Sequence, residues 1–143
     1  MKSTHTRRAA ATPTFSPPQA LATAAVMAAR ADGKVGPREI ERLRLMMREQ
    51  PLLAHEEHAE LFLAERVAAV FEHDEAALLR ACRAALPPRL RETAYAWAAQ
   101  MAQEDGSLHQ KEHAFLERLR AALDVPGPLA AKIRAVTAIR RAS

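Results

Sequence analysis

The feature of the sequence that most constrains the fold is a short motif that occurs twice. Both copies follow the pattern Asp-Gly-x-hydrophobic-x-x-x-Glu, first over Asp32–Glu39 and again over Asp105–Glu112. An alanine-rich stretch precedes each copy, and a leucine-rich amphipathic stretch follows it. Because Asp-Gly pairs favour tight turns, each copy predicts the turn of a helix–turn–helix unit. The repetition predicts two such units related by an internal pseudo-twofold axis.

The composition predicts an all-α fold. Hydrophobic residues make up 49% of the sequence and are dominated by Ala and Leu, whereas aromatic residues account for only 4%. Ala, Leu, Arg, Glu and Met all favour helices, and no segment alternates with period two for long enough to predict a strand. We therefore predict a bundle of about seven helices with short connections. Their expected bounds are 17–30, 37–49, 53–73, 74–86, 88–104, 109–123 and 126–140, with Asp74 as an N-cap.

Apolar residues at helical spacing predict which face of each helix is buried. In the third helix the inward residues are expected to be Leu61, Val67, Val70 and Phe71. In the last helix they are expected to be Leu129, Ile133, Val136 and Ile139. The single cysteine, Cys82, falls on a predicted core face and can form no internal disulfide.

Length and charge define the organisation of the chain. The 143 residues suit one domain, with residues 1–16 predicted as a disordered tail and 17–143 as the helical domain. The net charge of +4 arises at the two ends, and residues 126–143 contain basic residues but no acid. This distribution is not that of a nucleic-acid-binding face. A basic last helix can lie on an anionic membrane or meet an acidic partner, but its apolar stripe favours a core-packed helix with a solvated basic face.

Several functional classes lack their sequence signatures. Ser107 has no glycine-framed nucleophile elbow around it, and the Gly33–Gly36 segment lacks the context of a phosphate-binding loop. The chain is therefore predicted to be a binding module without a small-molecule substrate, not an enzyme. The longest nearly apolar run is half the length of a membrane span. Together with the lone cysteine, this predicts a cytoplasmic protein.

Each motif copy also matches the second half of an EF-hand calcium loop, in which a Glu follows the Asp by seven positions. The two earlier acidic positions are Ala28 and Arg30 in the first copy and Met101 and Gln103 in the second. Neither copy is thus expected to hold calcium alone, whereas two half-sites brought together can share a cation. The alternative is purely structural, because a first-turn Glu can cap its helix. Both interpretations are compatible with the sequence.

The doubled motif and its flanking helices resemble the TerB-like family, named for tellurite-resistance proteins and found also in membrane-anchored J-domain cochaperones. The resemblance covers about residues 18–138 and is carried by Ala31–Val35, Glu39, Asp105–Leu108, Glu112, Leu116 and Leu119. It implies a seven-helix bundle with acidic residues at a pseudo-twofold centre that bind divalent cations. It also implies a role in stress response or in membrane-associated complexes.

Carried over to this chain, the resemblance implies Asp32, Glu39, Asp105 and Glu112 as metal ligands. Oxygen ligands select hard ions, so the expected cofactor is Ca²⁺ or Mg²⁺. The pair His109 and His113, four residues apart, is an alternative source of nitrogen ligands for a transition metal. The implied partners are proteins, and the charge distribution argues against nucleic acid. The chain is expected in the cytoplasm, either free or peripherally at the inner membrane. In place of the family's usual Ser or Thr cap, this chain has Gly36 and His109.

Overall fold

The helical prediction is confirmed. A computed structural model describes residues 12–31, 33, 35–103 and 108–141, and within these ranges the chain forms seven α-helices and no strand. In chain order they are α1 Pro17–Ala31, α2 Pro37–Met47, α3 Ala59–Glu72, α4 Glu75–Ala85, α5 Pro88–Ala102, α6 Gln110–Leu123 and α7 Gly127–Arg141.

The centre of the bundle is α1, in which every residue from Ala20 to Ala29 is buried. A helix that is apolar on all sides is stable only when it is surrounded, and α1 packs against α2, α3, α4, α5 and α6. Its most extensive partner is α5, which contributes Ala94, Ala98 and Ala99 to the core. Small side chains on both helices allow the backbones to approach closely. On the outer side of α5 lies α7, whereas α3 covers α1 on another side.

The third helix is shorter than predicted, and its buried face differs. It begins at Ala59 and not near Leu53, because residues 51–58 form turns in which Leu53 is nevertheless buried. The side chain of Gln50 accepts a hydrogen bond from the Leu52 amide at 2.9 Å and stabilises this turn. The predicted inward positions of Leu61 and Phe71 are wrong, because both side chains are exposed.

The last helix packs through only part of its apolar stripe. Leu129 and Ile133 pack against the core, but Val136 is 54% exposed and Ile139 is 73% exposed. The prediction that all four residues face the bundle is therefore wrong for the C-terminal pair. Two apolar side chains remain in contact with water beside the basic residues of this helix.

The segment that precedes α1 contacts the bundle over its described part. Phe15 is half-buried against the core, and its ring centre lies 5.3 Å from the guanidinium carbon of the buried Arg66. Arg80 donates a hydrogen bond to the hydroxyl of Thr12 at 3.2 Å. Of the tail predicted to be disordered over residues 1–16, residues 1–11 lie outside the described ranges. Crossing a membrane would require a longer and more apolar helix than any in the described ranges.

The predicted N-cap Asp74 is confirmed, since its Oδ1 accepts a hydrogen bond from the Ala77 amide at 2.8 Å. Replacing this side chain leaves one amide of the first turn of α4 without its acceptor. We expect Asp74→Ala to lower the free energy of unfolding by about 1 kcal/mol, measured by urea denaturation. Asp74→Ser, which keeps a capping oxygen, is the control and is expected to stay within a few tenths of wild type. Equal losses in both variants would refute the capping role.

Candidate metal centre

The first motif copy forms the turn between α1 and α2. Gly33 has a φ of +78°, a conformation that residues with a Cβ rarely adopt, and its amide donates to the Arg30 carbonyl at 2.7 Å. Val35 then packs against the core. Gly36 is the N-cap of α2 and has an extended backbone with a φ of −110°. Glu39, three residues later, accepts a hydrogen bond from the Gly36 amide at 3.0 Å.

The second copy repeats these contacts at the start of α6. Leu108 packs against the core as Val35 does, and Glu112 accepts a hydrogen bond from the His109 amide at 3.0 Å. The two copies differ in burial, because Glu39 is half-buried whereas Glu112 is only 5% exposed. A buried carboxylate costs desolvation energy unless it is paired. Glu112, the acid of the second copy, is therefore the more strongly desolvated of the two.

Capping is thus an established role of both glutamates. Each uses Oε1 to accept the amide of its own N-cap residue, three positions earlier. A carboxylate has two oxygens and about four acceptor positions, so one capping bond does not consume its capacity to bind a cation. The structural and metal-binding interpretations of these two residues are therefore compatible.

The fold brings the helices on either side of the two turns into contact with one another. From α2, Arg42 donates a hydrogen bond to the Gln100 carbonyl near the end of α5 at 3.0 Å. Ala31, at the end of α1, lines the same cavity of about 600 Å³ as Lys111 in the first turn of α6. Thus α2, which follows the first turn, lies beside the end of α5. In the same way α6, which follows the second turn, lies beside the end of α1. These contacts place the described residues that flank the two turns in one region of the bundle.

One further oxygen lies beside the second copy. Gln103 is only 3% exposed, and its Nε2 donates to the Arg134 carbonyl at 3.2 Å. Its Oε1 is buried and has no hydrogen-bond partner among the described residues. An unsatisfied buried acceptor is costly, and in the EF-hand register Gln103 occupies the third loop position. Sequence reasoning missed it because it counted only acids there, although Ca²⁺ also accepts amide oxygens.

Comparison with known protein families gives a match over most of the chain. A family model described as "Tellurite resistance protein TerB" matches residues 18–135. The chain belongs to the TerB family. The matched range contains both motif copies, which confirms the resemblance predicted from the sequence. Comparisons with curated proteins and with solved structures give no match.

The predicted ligands of this TerB-family chain fall into two groups. Glu39 and Glu112 are described and cap their helices, whereas Asp32 and Asp105 lie outside the described residues. In the part of the chain that the structure describes, no three His, Cys, Asp or Glu side chains are grouped closely enough to hold a metal. The observation that fits a hard cation at the second copy is the buried oxygen of Gln103, which no described residue satisfies.

Proposed function

We propose that the chain is a non-enzymatic module that binds a divalent cation between its two TerB motif copies. The observation that carries this proposal is that the helix after each turn lies beside the end of the helix before the other turn. The Arg42–Gln100 contact and the cavity that Ala31 shares with Lys111 show this. A half-site in each turn becomes useful only when both turns occupy one region. The bound form would then act in a stress-response or membrane-associated protein complex in the cytoplasm.

Carboxylates and a carboxamide would supply the ligands. The residues that would hold the ion are Asp32, Glu39, Asp105 and Glu112, joined by Gln103. Several carboxylates in one low-dielectric region repel one another unless a cation neutralises them. A set of oxygen donors selects Ca²⁺ or Mg²⁺ over zinc. When bound, the cation would join the turn that follows α1 to the turn that follows α5.

The second candidate is a metal-free interaction domain in which the acids serve only as caps. The hydrogen bonds from Glu39 and Glu112 to the amides of their own N-cap residues favour it, because they explain both glutamates without a ligand. They do not account for the Oε1 of Gln103, which has no hydrogen-bond partner in the described part of the chain. The two candidates differ in a measurable way, because only the first one binds cations.

We expect Ca²⁺ or Mg²⁺ to stabilise the protein and Zn²⁺ to have a smaller effect. A ligand present at 100 times its Kd adds about 2.7 kcal/mol to the free energy of unfolding. Isothermal titration and thermal denaturation with Ca²⁺, Mg²⁺, Mn²⁺ and Zn²⁺ measure this effect. The absence of heat and of a thermal shift with every ion would leave the metal-free candidate. A preference for Zn²⁺ would instead point to His109 and His113.

Substitutions locate the ion if one binds. Asp32→Ala and Asp105→Ala should each weaken binding, since each removes a ligand from a shared site. Gln103→Met keeps the length of the side chain but removes the oxygen, and we expect a loss of affinity of about tenfold or more. Gln100→Met, one turn earlier on α5, is the matched control and should bind as wild type does. Unchanged affinity in either aspartate variant would rule out a shared site.

A further inference from the structure

We propose that copies of this chain associate head to tail, with an acidic face of α3 in one copy docked into a basic groove between α5 and α7 of the next. This proposal is independent of cation binding and rests on two exposed surfaces. Each combines apolar side chains that face water with charges of a single sign. The occupant that fits each surface is the other surface on a second copy.

The basic groove runs between α5 and α7. Two adjoining cavities of about 310 Å³ and 90 Å³ form it and share Gln100, Thr137 and Arg140 as lining residues. Lys132 and Val136 line the larger cavity, and none of the described lining residues of either cavity is acidic. Ile139, which is 73% exposed, lies next to Arg140 on α7. The groove therefore offers apolar side chains bracketed by cations.

Lys132, Val136, Ile139 and Arg140 form one exposed face of α7 at helical spacing. Another cation of this helix, Arg134, is engaged within the bundle, where it donates to the Tyr95 hydroxyl at 2.7 Å. The positive charge of the groove is thus carried by side chains directed away from the core. A surface with this composition is complementary to an acidic amphipathic helix.

Such a helix is α3 of the same protein. Leu61, Glu65, Ala68 and Glu72 are all exposed and recur on one face of α3, which we call the acidic stripe. The only basic residue in α3 is Arg66, which is buried and cannot offset the surface charge. At the edge of the stripe lies Phe71, which is 57% exposed. The guanidinium carbon of Arg30 lies over its ring, 4.1 Å from the ring centre.

The two surfaces match in spacing and are placed apart in the fold. At 1.5 Å per residue, Glu65 and Glu72 are about 10.5 Å apart along α3, and Lys132 and Arg140 are about 12 Å apart along α7. Two acid–cation pairs can therefore form while the apolar residues between them meet. Since α3 packs on α1 and α2 whereas α7 packs on α5, each surface is available to another copy. Contact between different surfaces is heterologous and leads to a ring or an open chain.

An anionic lipid surface is the competing occupant of the basic face. The apolar residues Leu129, Ala130 and Ile133 of α7 already pack on the bundle, which leaves only Val136 and Ile139 as large apolar side chains facing outward. These two alternate with cations on a face that borders a concave groove. Membrane-surface helices instead separate a broad apolar face from a polar one. The observations therefore favour, as the occupant of the groove, a helix in which apolar residues alternate with acids.

Sedimentation equilibrium at low salt tests the proposal with the full chain. We expect the average mass to rise above the monomer value of 15.7 kDa as the protein concentration increases. It should return to the monomer value at about 1 M salt, where the screening length falls to about 3 Å. Lys132→Glu/Arg140→Glu and Glu65→Lys/Glu72→Lys should each abolish the rise. Arg48→Glu/Arg89→Glu changes the net charge as the first pair does but away from both surfaces, and it should still associate.

Mixing the two charge-reversed double variants gives the decisive result. In a one-to-one mixture the intact acidic stripe of one variant meets the intact groove of the other, and the two reversed surfaces are again opposite in charge. The two variants should therefore assemble together although neither associates alone. A chain that carries all four reversals should associate with itself again, because both surfaces change sign together. A wild-type chain that stays monomeric, or a mixture that forms no complex, overturns the proposal. So does binding of the monomer to phosphatidylserine vesicles through Lys132 and Arg140 without self-association. Circular dichroism verifies that each variant is folded.

Discussion

Cys82 is expected to react with iodoacetamide at pH 8 at least a thousandfold more slowly in the folded protein than in the unfolded chain. The reactive species is the thiolate. Burial among apolar side chains raises the pKa of Cys82 to about 12, and the nearby Arg66 offsets this only in part. The thiolate fraction at pH 8 therefore falls about a thousandfold relative to an ordinary thiol. Steric exclusion slows the reaction further, since the side chain has no exposed surface.

The control places a cysteine on the exposed side of the same helix. In a Cys82→Ala background, Ala84→Cys introduces a thiol at a solvent-exposed position of α4. This thiol should react at a rate similar to that of the unfolded chain. Mass spectrometry of the alkylated protein over time gives both rates. Comparable rates for Cys82 and the introduced cysteine in folded protein would contradict the burial of Cys82.

The same pKa shift makes stability depend on alkaline pH. Since the pKa of Cys82 is higher in the folded state than in the unfolded chain, the unfolded chain loses its proton first as the pH rises. The stabilising contribution is complete below the ordinary thiol pKa and is lost as the pH approaches 12. Within that window the loss is about 1.4 kcal/mol per pH unit. Wild type should therefore lose more stability between pH 9 and pH 11 than Cys82→Ala does, measured by urea unfolding.

Phe115→Ala is expected to lower the free energy of unfolding by about 3–5 kcal/mol, a large part of the total stability of a small domain. Phe115 lies on α6 and is almost completely buried in the core. Its removal loses the free energy gained by transferring the ring out of water. It also leaves a cavity that neighbouring side chains fill only in part. Urea denaturation of the variant measures the loss.

Phe71→Ala is the matched control, since it makes the same chemical change at an exposed ring. It removes mainly the stacking of Arg30 on that ring, which at an exposed site is worth about 0.5–1 kcal/mol. The two variants should thus differ by at least about 2 kcal/mol. Equal losses would contradict the exposed position of Phe71 on α3.

These two phenylalanines also mark the limit of what periodicity can predict. Phe115 belongs to the stripe of α6 that includes Leu119 and Leu123, and all three are buried. Phe71 falls at helical spacing from Val67 and was expected inward by the same reasoning, yet it is exposed. Periodicity identifies a helix and a candidate face. It does not determine how wide a sector of that helix its neighbours cover.

At the candidate site too, some residues could be predicted from the sequence and one could not. The sequence was sufficient to place Glu39 and Glu112 in the first turns of their helices, where both accept the predicted capping hydrogen bonds. Gln103 could not be identified from residue type, because glutamine is usually exposed and hydrogen-bonded to water. Its importance follows from the tertiary fold, which buries the carboxamide. Among the described residues only its nitrogen has a partner, the Arg134 carbonyl.

The sequence by itself determined the helical class, the turns and the caps, because these depend on backbone propensity and on hydrogen bonds between residues three or four positions apart. It also determined the doubled motif and, through it, the TerB family. Only the tertiary structure decided that α2 lies beside the end of α5 and that α3 and α7 each leave a charged, partly apolar face exposed. Contacts between residues distant in the chain depend on the simultaneous packing of all seven helices, and no local pattern specifies that packing.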